Sequence, residues 1–352
     1  MSSLAIPALG QASSRAGDGP VIRVEDLGKT YGGQVEAVKG VSFEVAAGEI
    51  FGFLGPNGAG KTTTVSMLTT LLRPTRGRAT VAGLDVATQA ARVRREIGLV
   101  FQDSTADGEL TGRENLTLAG GLFGMTPAEC RGPIEMLLSR MDLADAGDRR
   151  VKGYSGGMKR RLELAVAMVH TPKILFLDEP TIGLDPQGRA GFWRYIQELR
   201  REQQVTIFMT THYLDEVENL CDRIAIIDHG RIIATGTNDA LKENVGGDVV
   251  ELRVPDRARD LTEPLRSVPG VREVLREANL YTVKCARAEG LVSSLVMACD
   301  GAGVTPEGIT VRRPSIDRVF LELTGKAYRE EGYDDGRAAQ ASAFGGRRGA
   351  KN

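Results

Sequence analysis

The sequence predicts an α/β fold: a largely parallel sheet carrying a phosphate-binding loop, a helical insertion, and a small α+β unit toward the C-terminus. Three observations predict it. From residue 21 to about 237, short apolar runs alternate with helical stretches, the pattern of parallel strands joined by crossover helices. The string Gly55-Pro56-Asn57-Gly58-Ala59-Gly60-Lys61-Thr62-Thr63 fits G-x-x-x-x-G-K-[ST]. Beyond residue 247 the order becomes β-α-β-β-α-β with a closing helix, like a split βαβ unit.

In chain order, strands are expected at 41–45, 50–54, 97–101, 174–177, 206–210 and 223–228, with a hairpin strand at 231–236. The run 50–54 is short, apolar and placed just before the glycine loop, as a buried strand feeding a phosphate site should be. Between residues 101 and 169 the alternation breaks into helical patterns at 113–123, 127–141 and 156–169, a helical insertion spanning about 103–170. Asn244-Val245-Gly246-Gly247 reads as a linker. After it, strands are expected at 249–254, 271–276, 280–285 and 309–312, with helices at 258–266, 289–302 and 316–323. The resulting domain expectation is a flexible leader at 1–20, a nucleotide-binding domain at 21–243 and an accessory α+β domain at 248–325. The Gly/Ala/Arg-rich stretch 326–352 is expected to be disordered.

With 352 residues the chain exceeds what one hydrophobic core usually supports, in keeping with two domains. A net charge of −1 argues against general nucleic-acid binding, which calls for a basic stripe. The four cysteines, Cys130, Cys221, Cys285 and Cys299, have neither metal-ligand spacing nor a disulfide framework and read as free thiols. No window approaches the roughly 18 apolar residues of a membrane span. The expectation is a chain soluble by itself, so that any membrane role would come through a partner.

The phosphate loop carries explicit chemistry. Its glycines let backbone N–H groups turn toward a phosphate at a helix N-terminus, Lys61 reaches the outer phosphates, and the Thr62 hydroxyl is placed for Mg²⁺. The apolar run 174–177 ends in Asp178-Glu179. At the carboxyl end of a parallel strand these acids face the phosphate crevice. Asp178 can hold Mg²⁺ through water, and Glu179 can polarise an attacking water. Tyr154-Ser155-Gly156-Gly157-Met158 opens a helix with a hydroxyl and two glycines, a second anion-binding turn.

Together these motifs resemble the ATP-binding subunit of ABC transporters, and the resemblance covers residue 21 to about 237. The Ser-Gly-Gly segment corresponds to a family signature usually written Leu-Ser-Gly-Gly-Gln, with Tyr154 in place of the Leu and Met158 in place of the Gln. The resemblance implies ATP and Mg²⁺ as cofactors. It places Tyr31 on the adenine, Gln102 at Mg²⁺ and at the coupling to the transmembrane subunit, and His212 on the γ-phosphate. Of the three histidines, His170 and His229 read as surface residues in turns. Gly183-Leu184-Asp185-Pro186 matches the loop that crosses between paired subunits, with Ile182 where a Ser is common. The family assembles as a dimer in which Ser155, Gly156 and Gly157 of one chain face the ATP on Lys61 of the other.

A second resemblance, to the daunorubicin-resistance group of ABC exporters, rests on Phe101-Gln102-Asp103, on Glu109-Leu110-Thr111-Gly112-Arg113-Glu114-Asn115-Leu116, and on Pro314 to Gly325. It implies a peripheral subunit on the cytoplasmic face of the cell membrane. There it would power export of a hydrophobic drug or antibiotic through a separate permease subunit, with the transported compound contacting that partner. Another ABC system, an importer or a lipid or polysaccharide exporter, is the alternative.

Overall fold

The computed structural model describes residues 19–244, 247–255, 259–312 and 315–324. The expected leader falls outside these residues except for its last two positions, and the expected tail at 326–352 falls outside entirely. Val245 and Gly246 of the expected linker and Pro314 and Gly325 of the C-terminal motif are also outside.

The central sheet has six strands: β3 (Ile50–Leu54), β6 (Ile97–Val100), β7 (Ile174–Asp178), β8 (Thr206–Thr211), β9 (Arg223–Asp228) and β10 (Arg231–Gly236). Their order is β10-β9-β3-β8-β7-β6. All pairings are parallel except the β9–β10 hairpin. Every residue of β3, β7 and β8 is buried, because a parallel sheet is covered on both faces and its strands read as continuous apolar runs.

The pleat sends alternate residues into two cores. Ile50, Leu54, Leu175, Leu177, Ile207 and Met209 join the helical side. Phe51, Phe53, Phe176 and Phe208 join the other. There Phe208 lies 5.8 Å from Phe43, 5.7 Å from Phe51 and 5.5 Å from Phe176, an aromatic cluster against a second sheet.

That second sheet is antiparallel, β2-β1-β4-β5, formed by β1 (Ile22–Tyr31), β2 (Val35–Val45), β4 (Arg76–Val81) and β5 (Leu84–Asp85). Only the end of β2 is expected from sequence. The others go unseen because their apolar positions are interleaved with Arg23, Glu25, Asp26, Arg76 and Arg78, and bulges in β1 break the period-two pattern.

The insertion holds α3 (Gly112–Leu122), α4 (Pro127–Arg140) and α5 (Gly156–Met168), close to expectation. Thr111 and Thr126 open α3 and α4 with capping boxes closed by Glu114 and Glu129. After β10, Asn244 ends a helix, α8 (Asn238–Asn244), rather than starting a linker.

The C-terminal strands β11 (Asp248–Arg253), β12 (Val271–Glu277), β13 (Leu280–Cys285) and β14 (Gly308–Arg312) form an antiparallel sheet ordered β12-β13-β11-β14. Helices α9 (Thr262–Arg266) and α10 (Leu291–Gly301) accompany it, with their own core around Leu252, Tyr281, Val283 and Leu295. Of the helix expected at 258–266, residue 258 is outside the described residues and the helix starts at Thr262. The last helix, α11 (Ile316–Thr324), turns back: Ile316, Val319 and Phe320 bury in the core of the helical side beside Leu241. The Ile316 N–H donates to Glu218 Oε1 at 2.9 Å, and Lys242 pairs with the same oxygen at 3.0 Å.

Candidate functional site: three strand ends and a glycine loop

Strand register builds the site. Leu54 of β3 pairs with Thr211 of β8, and Thr210 of β8 pairs with Asp178 of β7. Neighbouring parallel strands therefore end together. The residues that follow, Gly55, His212 and Glu179, emerge on one rim, the place where open α/β sheets bind ligands.

The loop from Gly55 to Gly60 leads into α1 (Lys61–Leu68). Gly60 has φ +106°, and a Cβ on it would lie 2.7 Å from the Ala37 carbonyl oxygen. Gly55 is still tighter, its Cβ falling 2.3 Å from the Ile227 carbonyl oxygen. These contacts explain the two fixed glycines of the motif: the loop is pressed against β2 and β9, and only hydrogen fits.

Lys61 is buried, and its ammonium donates to the Gly55 carbonyl at 2.8 Å and the Pro56 carbonyl at 3.2 Å. It also pairs with Glu179 Oε1 at 2.9 Å. The other carboxylate oxygen, Oε2, lies 2.8 Å from His212 Nδ1. Burial raises the Glu179 pKa, but the His212 hydrogen bond and the Lys61 charge outweigh it and leave the carboxyl below the usual glutamate value. Glu179 adopts φ +47°. A side chain in that region is strained and is held there by its surroundings. Its N–H meets both the carbonyl and the hydroxyl of Thr210, each at 3.1 Å.

Asp178 accepts from Thr210 Oγ1 at 2.5 Å and from Thr62 Oγ1 at 3.3 Å. Among the described residues no cluster of three or more His, Cys, Asp or Glu could hold a metal. The Thr62–Asp178 pair nevertheless suits Mg²⁺, which takes one or two protein oxygens and completes its shell with phosphate and water.

Asn57, Gly58, Ala59 and Thr63 belong to the loop and the start of α1. Tyr31 ends β1, 44% exposed, with the Lys29 ammonium 5.5 Å from its ring centre. Gln102 is exposed in the bend after β6, and among the described residues no hydrogen bond joins it to Lys61, Asp178 or Glu179. Ser155 caps α5, accepting from the Met158 N–H at 3.3 Å. Side chains built on Gly156 and Gly157 would meet open space. Asp185 caps α6 (Pro186–Gln203) through the Gly188 N–H at 2.9 Å, and Ile182 is exposed beside it.

One reading from sequence is revised. His170 is not a free surface residue. Its ring stacks on Phe123 with centroids 3.6 Å apart, its Nε2 lies 2.9 Å from the Ile97 carbonyl oxygen, and burial lowers its pKa. His229 is exposed, as expected. Tyr154, a departure at the head of the signature, is a core residue whose hydroxyl donates to the Ala146 carbonyl at 2.6 Å.

Sequence reasoning missed Arg160, Thr210 and Glu216. Buried Glu216 accepts from Thr181 Oγ1 and from Trp193 Nε1, the latter at 3.4 Å. Desolvation raises its pKa against the lowering effect of Thr181, Thr211 and Trp193. Arg160 could have been noticed as a cation among the apolar positions of α5, but only folding shows its partners.

The comparisons agree with this architecture. The ABC transporter family model matches residues 38–182. A daunorubicin resistance ATP-binding protein, DrrA3 of Streptomyces coeruleorubidus, is 45% identical over 306 residues, covering 86% of this chain and 96% of the relative. The linearmycin resistance ATP-binding protein LnrL of Bacillus subtilis is 36% identical over 313 residues, covering 88% of this chain and 100% of the relative. Among solved structures, the dimeric post-hydrolysis state of the ATP-binding cassette MJ0796 bound to ADP and Pi superposes with a TM-score of 0.57 at 25% identity. That match covers 61% of this chain and 98% of the other. The domain is one that binds ATP, and the activity it carries is ATP hydrolysis. The chain belongs to the ATP-binding subunits of ABC transporters, in the daunorubicin/doxorubicin-resistance group.

Proposed function

We propose that this chain is the ATPase of an exporter: its hydrolysis drives a hydrophobic drug or antibiotic through a separate membrane-spanning permease. The observation that carries the hydrolytic half is the buried Lys61–Glu179–His212 chain above the glycine loop. An incoming polyphosphate competes with Glu179 for the Lys61 ammonium. Once Lys61 turns to phosphate, the Glu179 carboxyl keeps its His212 contact and can accept a hydrogen bond from water. His212, bonded to Glu179, sits where it can steady the γ-phosphate. The work is positioning and charge neutralisation, as phosphoryl transfer requires. Mg²⁺ on Thr62 and Asp178 would add charge neutralisation at the phosphate oxygens.

The same reading assigns Tyr31 to the adenine and Gln102 to sensing of the nucleotide. Ser155, Gly156, Gly157 and Asp185 go to the ATP of a second copy, since none of them bonds to the Lys61 cluster of its own chain. The cassette of the dimeric MJ0796 structure, sharing the fold, supports a homodimer here. The names of the relatives, daunorubicin and linearmycin resistance proteins, support the cargo class. We place the ATPase at 21–243 and the accessory unit at 248–325.

No helix among the described residues is long and apolar enough to cross a membrane; the proposed reading gives the transport path to a partner and places this subunit at the cytoplasmic face of the membrane. An apolar groove between α3 and α4, lined by Leu118, Leu122, Met125 and Pro127, supports such docking. Leu122 is 81% exposed, and Phe123 beside it is exposed on the same insertion. The test is to express the chain with its co-purifying membrane protein in a drug-sensitive host and follow efflux of an anthracycline. ATP-dependent efflux that stops with Glu179→Gln is expected. ATP turnover without any movement of hydrophobic drugs would overturn the cargo assignment.

A further inference from the structure

Arg160 lies five residues beyond Ser155 in α5 and is buried, 7% exposed. Its donors diverge onto two loops. Nε donates to the Pro180 carbonyl, Nη2 to the Glu179 carbonyl at 3.2 Å, and Nη1 to the Phe101 carbonyl at 2.6 Å. Glu163, one turn along the helix and also buried, balances the charge at 2.8 Å from Nη1. A rigid fork of five donors can bind several carbonyls in a fixed relation, which an ammonium cannot.

We propose that Arg160 is a positioning residue for hydrolysis, tying the Ser155 turn to the backbone of Glu179 and to the peptide that precedes Gln102. This deepens the ATPase reading above and rests on it. Three facts point the same way. Glu179 is the strained residue of the site, at φ +47°. Its N–H is fixed by Thr210 of β8, so Arg160 supplies the hold on its carbonyl side. The Phe101 carbonyl bonded to Arg160 begins the bend that carries Gln102. A shift of α5 when Ser155 engages a nucleotide on a second copy is therefore delivered directly to both loops. The adjacent Arg161 differs: it donates to the Met141 carbonyl at 2.9 Å and to Tyr195 Oη at 3.2 Å, which ties helices together away from the site.

The test uses the full chain with Arg160→Lys, with the double variant Arg160→Met/Glu163→Leu, and with Arg161→Lys as control. Removing both members of a buried ion pair together avoids a stranded charge and keeps the fold testable. Expected for both Arg160 variants is a fall in kcat of about tenfold or more. ATP Kd should stay within about twofold and the thermal midpoint should be retained, at least in the double variant. Arg161→Lys should leave kcat unchanged. In a Glu179→Gln background, ATP-driven dimerisation should survive Arg160→Lys, because the side chain Arg160 helps to aim is already disabled. A wild-type kcat in either Arg160 variant would overturn the proposal, as would a kcat loss that only tracks a lowered midpoint. Failure of Glu179→Gln alone to dimerise with ATP would instead sink the ATPase-dimer reading, so the two failures are told apart.

Discussion

Lys61 and Glu179, 118 positions apart in sequence, form a buried ion pair at 2.9 Å. The pair joins the group expected to bind phosphate to the group expected to polarise water. On the proposed reading each would change partner when nucleotide binds, and substitutions on the two sides should have different signatures.

Glu179→Gln should retain the His212 contact and the fold while losing the carboxylate. We expect phosphate release to fall by about a hundredfold or more, in the range of lost general acid–base catalysis, with ATP binding intact and an ATP-dependent dimer persisting on size-exclusion chromatography. Turnover at the normal rate would remove Glu179 from its assigned role.

Lys61→Ala should weaken ATP binding and also destabilise the chain. It leaves a buried carboxylate without its cation, a change worth about 3 kcal/mol or more. Lys61→Ala/Glu179→Gln should recover most of that stability in a denaturant titration without recovering turnover. Absence of such recovery would mean that the ion pair does not account for the loss.

Tyr154 and Gly112 form a matched pair. A Cβ on Gly112 would lie 2.5 Å from the Tyr154 hydroxyl, which is itself fixed to Ala146. Gly112→Ala should cost about 1–3 kcal/mol through overpacking. Tyr154→Phe should be mildly destabilising alone and should relieve Gly112→Ala in the double variant. Additive losses in thermal melts would refute the pairing.

Glu216 predicts a pH effect of the less common sign for a carboxylate. Its folded pKa is raised by burial. The unfolded chain therefore loses this proton first, and the favourable contribution, complete below about pH 4.3, is lost as pH rises through the folded value. Glu216→Gln, which can still reach Thr181, should gain stability relative to wild type as pH climbs from 4 toward neutrality. A constant difference in midpoint across that range would show that Glu216 does not titrate in this way.

Leu122→Asp should leave the thermal midpoint and ATP binding unchanged and reduce recovery of the membrane partner in a pull-down. Leu122 is 81% exposed and makes no core. Full recovery of the partner would move the docking surface elsewhere.

Local chemistry made much of this legible. The glycine loop, the buried strand before it, the Asp178-Glu179 strand end and the Ser155 cap all announce themselves within a dozen residues, because their constraints are on dihedral angles and short-range hydrogen bonds. The capped helices α3 and α4 and the C-terminal strand pattern were readable for the same reason. The antiparallel sheet of β1, β2, β4 and β5 was not, the end of β2 apart, since its charged outer positions and bulges dilute the period that marks a strand.

What the chain's order of residues determined by itself is the inventory: which atoms can touch phosphate, and which segments run as strands or helices. What only tertiary structure decided is adjacency. The order β3-β8-β7 puts Thr210 under Asp178 and His212 against Glu179. Close packing of α5 against two loops turns Arg160 from a helix cation into a three-carbonyl clamp, and packing of α3 turns His170 from a turn residue into a stacked one. The physical reason is that dihedral preferences act over a few bonds, whereas desolvated charges and stacked rings are held by partners tens of residues away, brought close only when the sheet and its helices bury their apolar faces together.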